Sequence, residues 1–224
     1  MNFSRPARRP AAVLFDCDGV LADSEPLVNR VIAADLTLRG WPMTSHEAGS
    51  IFLGTALPDM VPRIEAMVGP LPTDWMTLIS HRVAAVMKEE VEPVSGAPEA
   101  LQAIASFGIP FAVASNSTRL ELDAKLHRLG FKRLFSGRIL SFEDVPRPKP
   151  WPDIYLAAAL ACSAEPEDCV VVEDSLPGVR AGVAAGCRVL GFAKELSCEQ
   201  LAMEGAYSFT DMRQLPALLG LVED

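Results

Sequence analysis

The chain has 224 residues, of which 50% are hydrophobic and 22% charged, enough to bury a sizeable core. That composition excludes a disordered chain and a disulfide-stapled mini-protein. With 20 Lys+Arg against 29 Asp+Glu the formal charge is −9, a poor match to nucleic acid or an anionic membrane, because both require neutralised phosphates.

Met1 to Pro10 is basic, with no apolar segment behind it of the kind a secretory signal needs. Residues 1–10 therefore read as a short, mobile arm, and the cytoplasm is the expected location. No apolar run reaches the ~18 residues of a membrane span. Cys17, Cys162, Cys169, Cys187 and Cys198 form no C-x-x-C pair, so reduced, mostly buried thiols are expected.

The first apolar run, Ala11 to Phe15, ends in Asp16-Cys17-Asp18-Gly19 and reads as a buried strand followed by a turn. Residues 24–92 then carry helical signals only. Ser24 is placed to cap a helix with Leu27, Val31, Ala34 and Leu38 on one face, ended by Gly40. Thr44-Ser45-His46-Glu47 is a capping-box pattern. Pro58 and Pro62 are expected to break or offset a short helix. Thr73 is placed to cap a long one through Val86. After Glu92-Pro93, β-rich runs at 110–115, 138–141, 169–173 and 188–192 alternate with helical segments near 97–107, 118–129, 152–162, 176–185 and 211–219. Such alternation predicts a parallel sheet covered on both faces. The expected architecture is a Rossmann-like, doubly wound α/β core of residues 1–22 and 94–224. A helical insert of residues 24–92 is entered near 22–24 and left near 92–95.

In a doubly wound sheet, ligands bind at the carboxyl ends of the strands. Three strands here end in chemistry: Asp16-x-Asp18-Gly19, Ser115-Asn116-Ser117 and Glu173-Asp174-Ser175. Four carboxylates cannot crowd together uncompensated, since each disfavours ionisation of the others. An all-oxygen set with few protein ligands suits Mg²⁺. Lys149 stands between prolines in Arg147-Pro148-Lys149-Pro150. With the Ser115 hydroxyl and backbone N–H groups near Gly19 and Asn116, it can hold a phosphate. Taken singly, each motif has a plainer reading: Ser115 and Glu173-Asp174 as helix caps, Lys149 as a solvated loop cation. His46, His81 and His127 read as surface or packing residues, Trp41, Trp75 and Trp151 as packing, and Gly178, Gly182 and Gly186 as close helix packing or a C-cap.

Together and in order, four segments resemble the four motifs of the haloacid dehalogenase superfamily: Phe15 to Glu25, Val113 to Asn116, Arg147 to Tyr155 and Val171 to Val179. The chain is most similar to the family's β-phosphoglucomutase-like phosphatases, whose small helical cap the insert resembles. The resemblance implies Mg²⁺-dependent hydrolysis of a small phosphomonoester, a sugar or sugar-acid phosphate, through an aspartyl-phosphate intermediate. It implies Asp16 as nucleophile and Asp18 as general acid and then base. That role is expected to require a raised Asp18 pKa. Ser115, Asn116 and Lys149 would bind phosphate, and Lys149 would also steady Asp16. Asp16, the Asp18 carbonyl, Glu173 and Asp174 would hold Mg²⁺, and Gly54 and Thr55 would face substrate from the cap. An acid two residues after the nucleophile separates the chain from the dehalogenases. The family's mutases are the first alternative. Their cap histidine falls here on Val28, and Phe52 to Leu57 contains no cation, which favours a phosphatase. Arg63 and Arg82 are other cap cations that could face the site. A non-enzymatic phospho-aspartate signalling module is a remoter alternative, since Asp18 would speed loss of the phosphoryl group. The expected partner is a small phosphorylated metabolite, with no nucleic acid or membrane, and a monomer is favoured.

Overall fold

The β-rich runs are apolar on consecutive residues, so each strand needs cover on both sides. In a computed structural model, whose described residues are 9–52 and 57–221, these runs form a six-stranded parallel sheet of order β3-β2-β1-β4-β5-β6. The strands are β1 (Ala12–Phe15), β2 (Phe111–Ser115), β3 (Ile139–Ser141), β4 (Cys169–Glu173), β5 (Arg188–Phe192) and β6 (Tyr207–Phe209). Alternate side chains enter separate cores. Val13, Phe15, Val113, Val170 and Val172 pack with α5 (Ala97–Ser106) and α6 (Arg119–Arg128). Leu14, Ala112, Ala114 and Val171 pack with α7 (Asp153–Ala161) and α8 (Leu176–Ala184). The chain leaves β1 toward β2 and leaves β4 toward β5, so the order reverses between β1 and β4, where such sheets bind ligands.

Two elements escape the sequence pattern. The six-residue α9 (Cys198–Met203) and edge strand β6 are too short to show a period. The helix expected over 211–219 is instead a 3₁₀ turn at Met212–Gln214 followed by the single-turn α10 (Leu215–Leu218), with Pro216 in its first turn. Of the five cysteines, Cys198 alone is exposed and the others are buried; all five are free thiols. His46, His81 and His127 are exposed. Among the described residues no helix is long and apolar enough to cross a membrane. The expected arm lies largely outside the described residues.

Four helices lie between β1 and α5: α1 (Glu25–Leu38), α2 (Ser45–Phe52), α3 (Leu57–Val68) and α4 (Trp75–Glu90). The chain segments flanking them pair with each other. Asp23 donates to the Glu92 carbonyl at 2.9 Å and Val94 to the Leu21 carbonyl at 3.0 Å. The insert is knit by one buried carboxylate. Asp35 accepts from Trp75 Nε1 at 2.7 Å, Arg39 at 2.6 Å and Arg82 at 2.8 Å. The Thr44–Glu47 box forms, each residue bonding the other's backbone N–H. Two expectations need correction. The helix α3 runs on through Pro62, with Met60 and Ile64 buried on its inner face. The N-cap position of α4 is Asp74 rather than Thr73, because Trp75 N–H is drawn into a turn on the Pro72 carbonyl.

Candidate active site

The Asp16 N–H bonds the Val172 carbonyl at 3.0 Å, which carries the β1–β4 pairing one residue past Phe15. Asp16 therefore stands beside the end of β4. Lys149 arrives from the loop before α7, its backbone clamped by Asn116. The Asn116 side chain accepts from Lys149 N–H at 3.0 Å and donates to the Lys149 carbonyl at 3.2 Å. Asn116 thus orients the lysine, using its Oδ1 and one of its two amide hydrogens, and it also lines the cavity that opens from Asp18. The Lys149 ammonium bridges Asp16 Oδ1 at 2.5 Å and Glu173 Oε1 at 2.7 Å.

Glu173 is fully buried and saturated. Beyond Lys149, Tyr155 donates to Oε1 at 3.0 Å, and Oε2 accepts from Asp174 N–H, Ser175 N–H and the Ser175 hydroxyl at 2.9, 2.9 and 3.0 Å. The helix-cap role considered for Glu173-Asp174 belongs instead to Ser175, which accepts from Gly178 N–H at 3.2 Å. Two glycines admit this cluster. A Cβ on Gly178 would sit 1.6 Å from Glu173 Oε1, and one on Gly19 would sit 1.8 Å from Asp174 Oδ2.

Carboxylate oxygens of Asp16, Glu173 and Asp174 lie within 4.8 Å of one another. Burial pushes the Asp16 carboxyl up, Lys149 pulls it down, and Glu173 and Asp18 add repulsion, leaving it near 7. Burial, then Glu173 and Asp16, push Asp174 well above the usual carboxylate range. One ammonium does not balance three clustered carboxylates, two of them buried. Hard oxygen donors at this spacing fit a small divalent cation such as Mg²⁺. The open donors are Asp16 and Asp174, since Glu173 already accepts five hydrogen bonds.

Asp18 lies apart from that group. Its Oδ1 accepts from the Ser24 hydroxyl at 2.5 Å and from Lys125 at 2.5 Å. Its Oδ2 accepts from Lys125 and Ser117 at 2.7 Å each and from Ser115 at 3.2 Å. Burial pushes this carboxyl up, but the Lys125 charge and the bonds from Lys125, Ser24 and Ser117 outweigh it and bring the pKa down to about 2. The expected elevation is thus overturned, because a cation stands where only acids were foreseen. With its carboxylate so engaged, Asp18 can serve a metal only through its carbonyl. Ser24 holds the N-cap position of α1 without a side-chain cap bond, its hydroxyl being on Asp18. Thr118 rather than Ser115 caps α6, accepting from Glu121 N–H at 3.3 Å.

From Asp18 a cavity of about 230 Å³ opens toward the insert, lined by core residues that include Asn116, Ser117 and Lys125 and by insert residues that include Glu25, Val28 and Asn29. Arg63 and Arg82 do not line it. They bond the Ile51 carbonyl and Asp35. Gly54 and Thr55 lie outside the described residues. Trp151 is exposed beneath Arg147, whose guanidinium carbon lies 4.4 Å from the ring centre, and Trp75 is buried. Lys125 is a site residue outside the motif segments, while Ser24, Ser117 and Tyr155 lie within the quoted segments but had no site role assigned to them. For Lys125 a signal was present: it shares the buried face of α6 with Leu122 and Leu126, and a lysine on such a face needs a buried partner.

Known proteins are similar to this chain in sequence and fold. The description "haloacid dehalogenase-like hydrolase" matches residues 10–186. The bifunctional riboflavin kinase/FMN phosphatase of Arabidopsis thaliana is 31% identical over 181 residues, covering 80% of this chain but 48% of that protein, so the chain spans about half its length. The 6-phosphogluconate phosphatase of Escherichia coli is 29% identical over 212 residues, covering 94% of this chain and 95% of that protein. A solved HAD family hydrolase from Deinococcus radiodurans, with bound phosphate and sodium, is 32% identical with a TM-score of 0.79, covering 97% of this chain and 99% of that one. The chain belongs to the haloacid dehalogenase-like hydrolases.

Proposed function

We propose that the protein is a Mg²⁺-dependent phosphatase of small phosphomonoesters that works through an aspartyl-phosphate on Asp16. The observation that carries this reading is the Lys149 bridge between Asp16 and Glu173, inside a group of three carboxylates at the ends of β1 and β4. Residues 1–22 and 94–224 act as the catalytic core and residues 24–92 as a cap over it. Asp16, Asp174 and the Asp18 carbonyl hold the metal, and Glu173 fixes Lys149. When bound, Mg²⁺ supplies positive charge for the phosphoryl oxygens.

Lys149 holds Asp16 in place for in-line attack on phosphorus. A P–O bond forms to the Asp16 carboxylate as the bond to the ester oxygen breaks, and the leaving alkoxide takes a proton from Asp18. Lys149, nearby backbone N–H groups and the Ser115 hydroxyl, which must first turn from Asp18 Oδ2 to the incoming phosphate, stabilise the equatorial oxygens. Asp18 ionised against Lys125 is the form that next removes a proton from water. That water displaces Asp16 from phosphorus and releases inorganic phosphate. For the first step Asp18 must carry a proton, and the negative phosphoryl oxygens arriving beside it raise its proton affinity. The mutase alternative lacks support in the cavity, where Val28 fills the histidine position and Lys125, the one cation among the described lining residues, is bound to Asp18.

The test is phosphate release from p-nitrophenyl phosphate and a panel of phosphorylated metabolites. Release is expected with Mg²⁺, and is expected to vanish with EDTA or in Asp16→Asn. Near-wild-type release by Asp16→Asn would overturn the reading. With β-glucose 1-phosphate and a catalytic bisphosphate, free phosphate is expected rather than glucose 6-phosphate.

A further inference from the structure

We infer that the site takes phosphomonoesters whose leaving group is an uncharged polyhydroxyl chain, and that it rejects carboxylated or doubly phosphorylated analogues through the charge of its leaving-group cavity. This inference rests on the phosphatase reading above. The leaving group must lie next to Asp18, and the cavity of about 230 Å³ begins there. That volume is below the ~300 Å³ at which pockets for drug-sized ligands start, so the occupant is a small metabolite.

The charges lining the cavity are unequal. Asp18, Glu25 and Glu121 face it against Lys125. An ammonium has three hydrogens, and those of Lys125 go to Asp18 Oδ1, Asp18 Oδ2 and the Ser117 hydroxyl. No donor of Lys125 is left for a distal anion. The arginines of the insert are engaged elsewhere: Arg30 with Glu90, Arg39 and Arg82 with Asp35, and Arg63 with the Ile51 carbonyl. The segment Leu53-Gly54-Thr55-Ala56, outside the described residues, contains no charged residue in its sequence.

The groups that remain suit hydroxyls. Glu25 and Glu121 accept from O–H donors through charge-assisted bonds. The Asn29 side chain can both donate and accept, and no protein hydrogen bond engages it among the described residues. It has room because residue 49 is glycine, where a Cβ would come within 2.8 Å of Asn29 Nδ2. Val28, Ile32, Phe52, Ile79 and Val83 give C–H faces an apolar wall. Burial pushes both Glu25 and Glu121 upward. Ionised or protonated, they bond hydroxyls and supply no positive charge. A ligand carboxylate would meet two acids and no available cation.

The experiment compares sorbitol 6-phosphate with 6-phosphogluconate, which differ only in a hydroxymethyl against a carboxylate at the far end. The expected kcat/KM favours sorbitol 6-phosphate by about ten-fold or more. The Glu25→Gln/Glu121→Gln double variant should narrow that ratio by raising kcat/KM for 6-phosphogluconate. Equal or better use of 6-phosphogluconate by the wild type would overturn the inference while leaving the phosphatase reading intact. So would a ratio unchanged in the double variant. No phosphate release from either compound or from p-nitrophenyl phosphate would overturn both.

Discussion

Lys125 sets an ammonium into a helix face that is otherwise leucine, and its partner Asp18 keeps a third of its side chain open to the cavity. Held near pH 2 against an ordinary 3.8, the Asp18 carboxyl contributes stability that is fully present above about pH 4 and fades as the pH falls toward 2. Lys125→Met is therefore expected to cost about 2 kcal/mol at pH 7, less than a fully buried pair because Asp18 is partly solvated. Urea unfolding at a series of pH values should show the deficit against wild type narrowing toward pH 2. A deficit independent of pH would contradict the assignment. At this scale the acidic residues and Lys149 were legible in the sequence, because their spacing at strand ends is itself the signal. The Lys125 partnership was not, because α6 comes from a segment more than a hundred residues beyond Asp18, and no local spacing links the two.

The ends of β1 and β4 bring the chemistry together, and α8 must begin almost on top of it. Gly178, in the first turn of α8, leaves room for the Glu173 carboxylate that fixes Lys149. Gly178→Ala forces that carboxylate or the helix aside. The expected result is a loss of about 1–3 kcal/mol in stability, as for overpacking, and a fall in kcat of ten-fold or more. Thermal unfolding and phosphate release read the two effects; unaltered kcat would mean that Glu173 does not position Lys149. The strands of the inner sheet were legible because they are apolar without interruption. The edge strand β6 was not, since three residues, partly exposed, carry no such run. Pro62 misled for a related reason. Its cost to α3 is outweighed by the burial of Met60 and Ile64, which only the assembled insert provides.

Across the whole molecule, α4 of the insert lies on α6 of the sheet's cover, with the Ser80 and Thr118 hydroxyls 3.0 Å apart. The cavity there is lined by residues of both the core and the insert; on the proposed function the chemistry would belong to the core and the choice of leaving group to both. The motifs made the first legible and left the second hidden, because which insert side chains reach the cavity depends on how α1 and α4 are turned. The proposed binding of Mg²⁺ would be read on the whole fold. Mg²⁺ at a hundred times its Kd should stabilise the protein by about 2.7 kcal/mol, and Asp174→Asn should remove most of that gain in a thermal-shift titration. The most direct measurement is a rapid acid quench with a phosphomonoester labelled at phosphorus. A hydroxylamine-sensitive label that appears on Asp16 within one turnover is the predicted result. Label on any other residue would contradict the account.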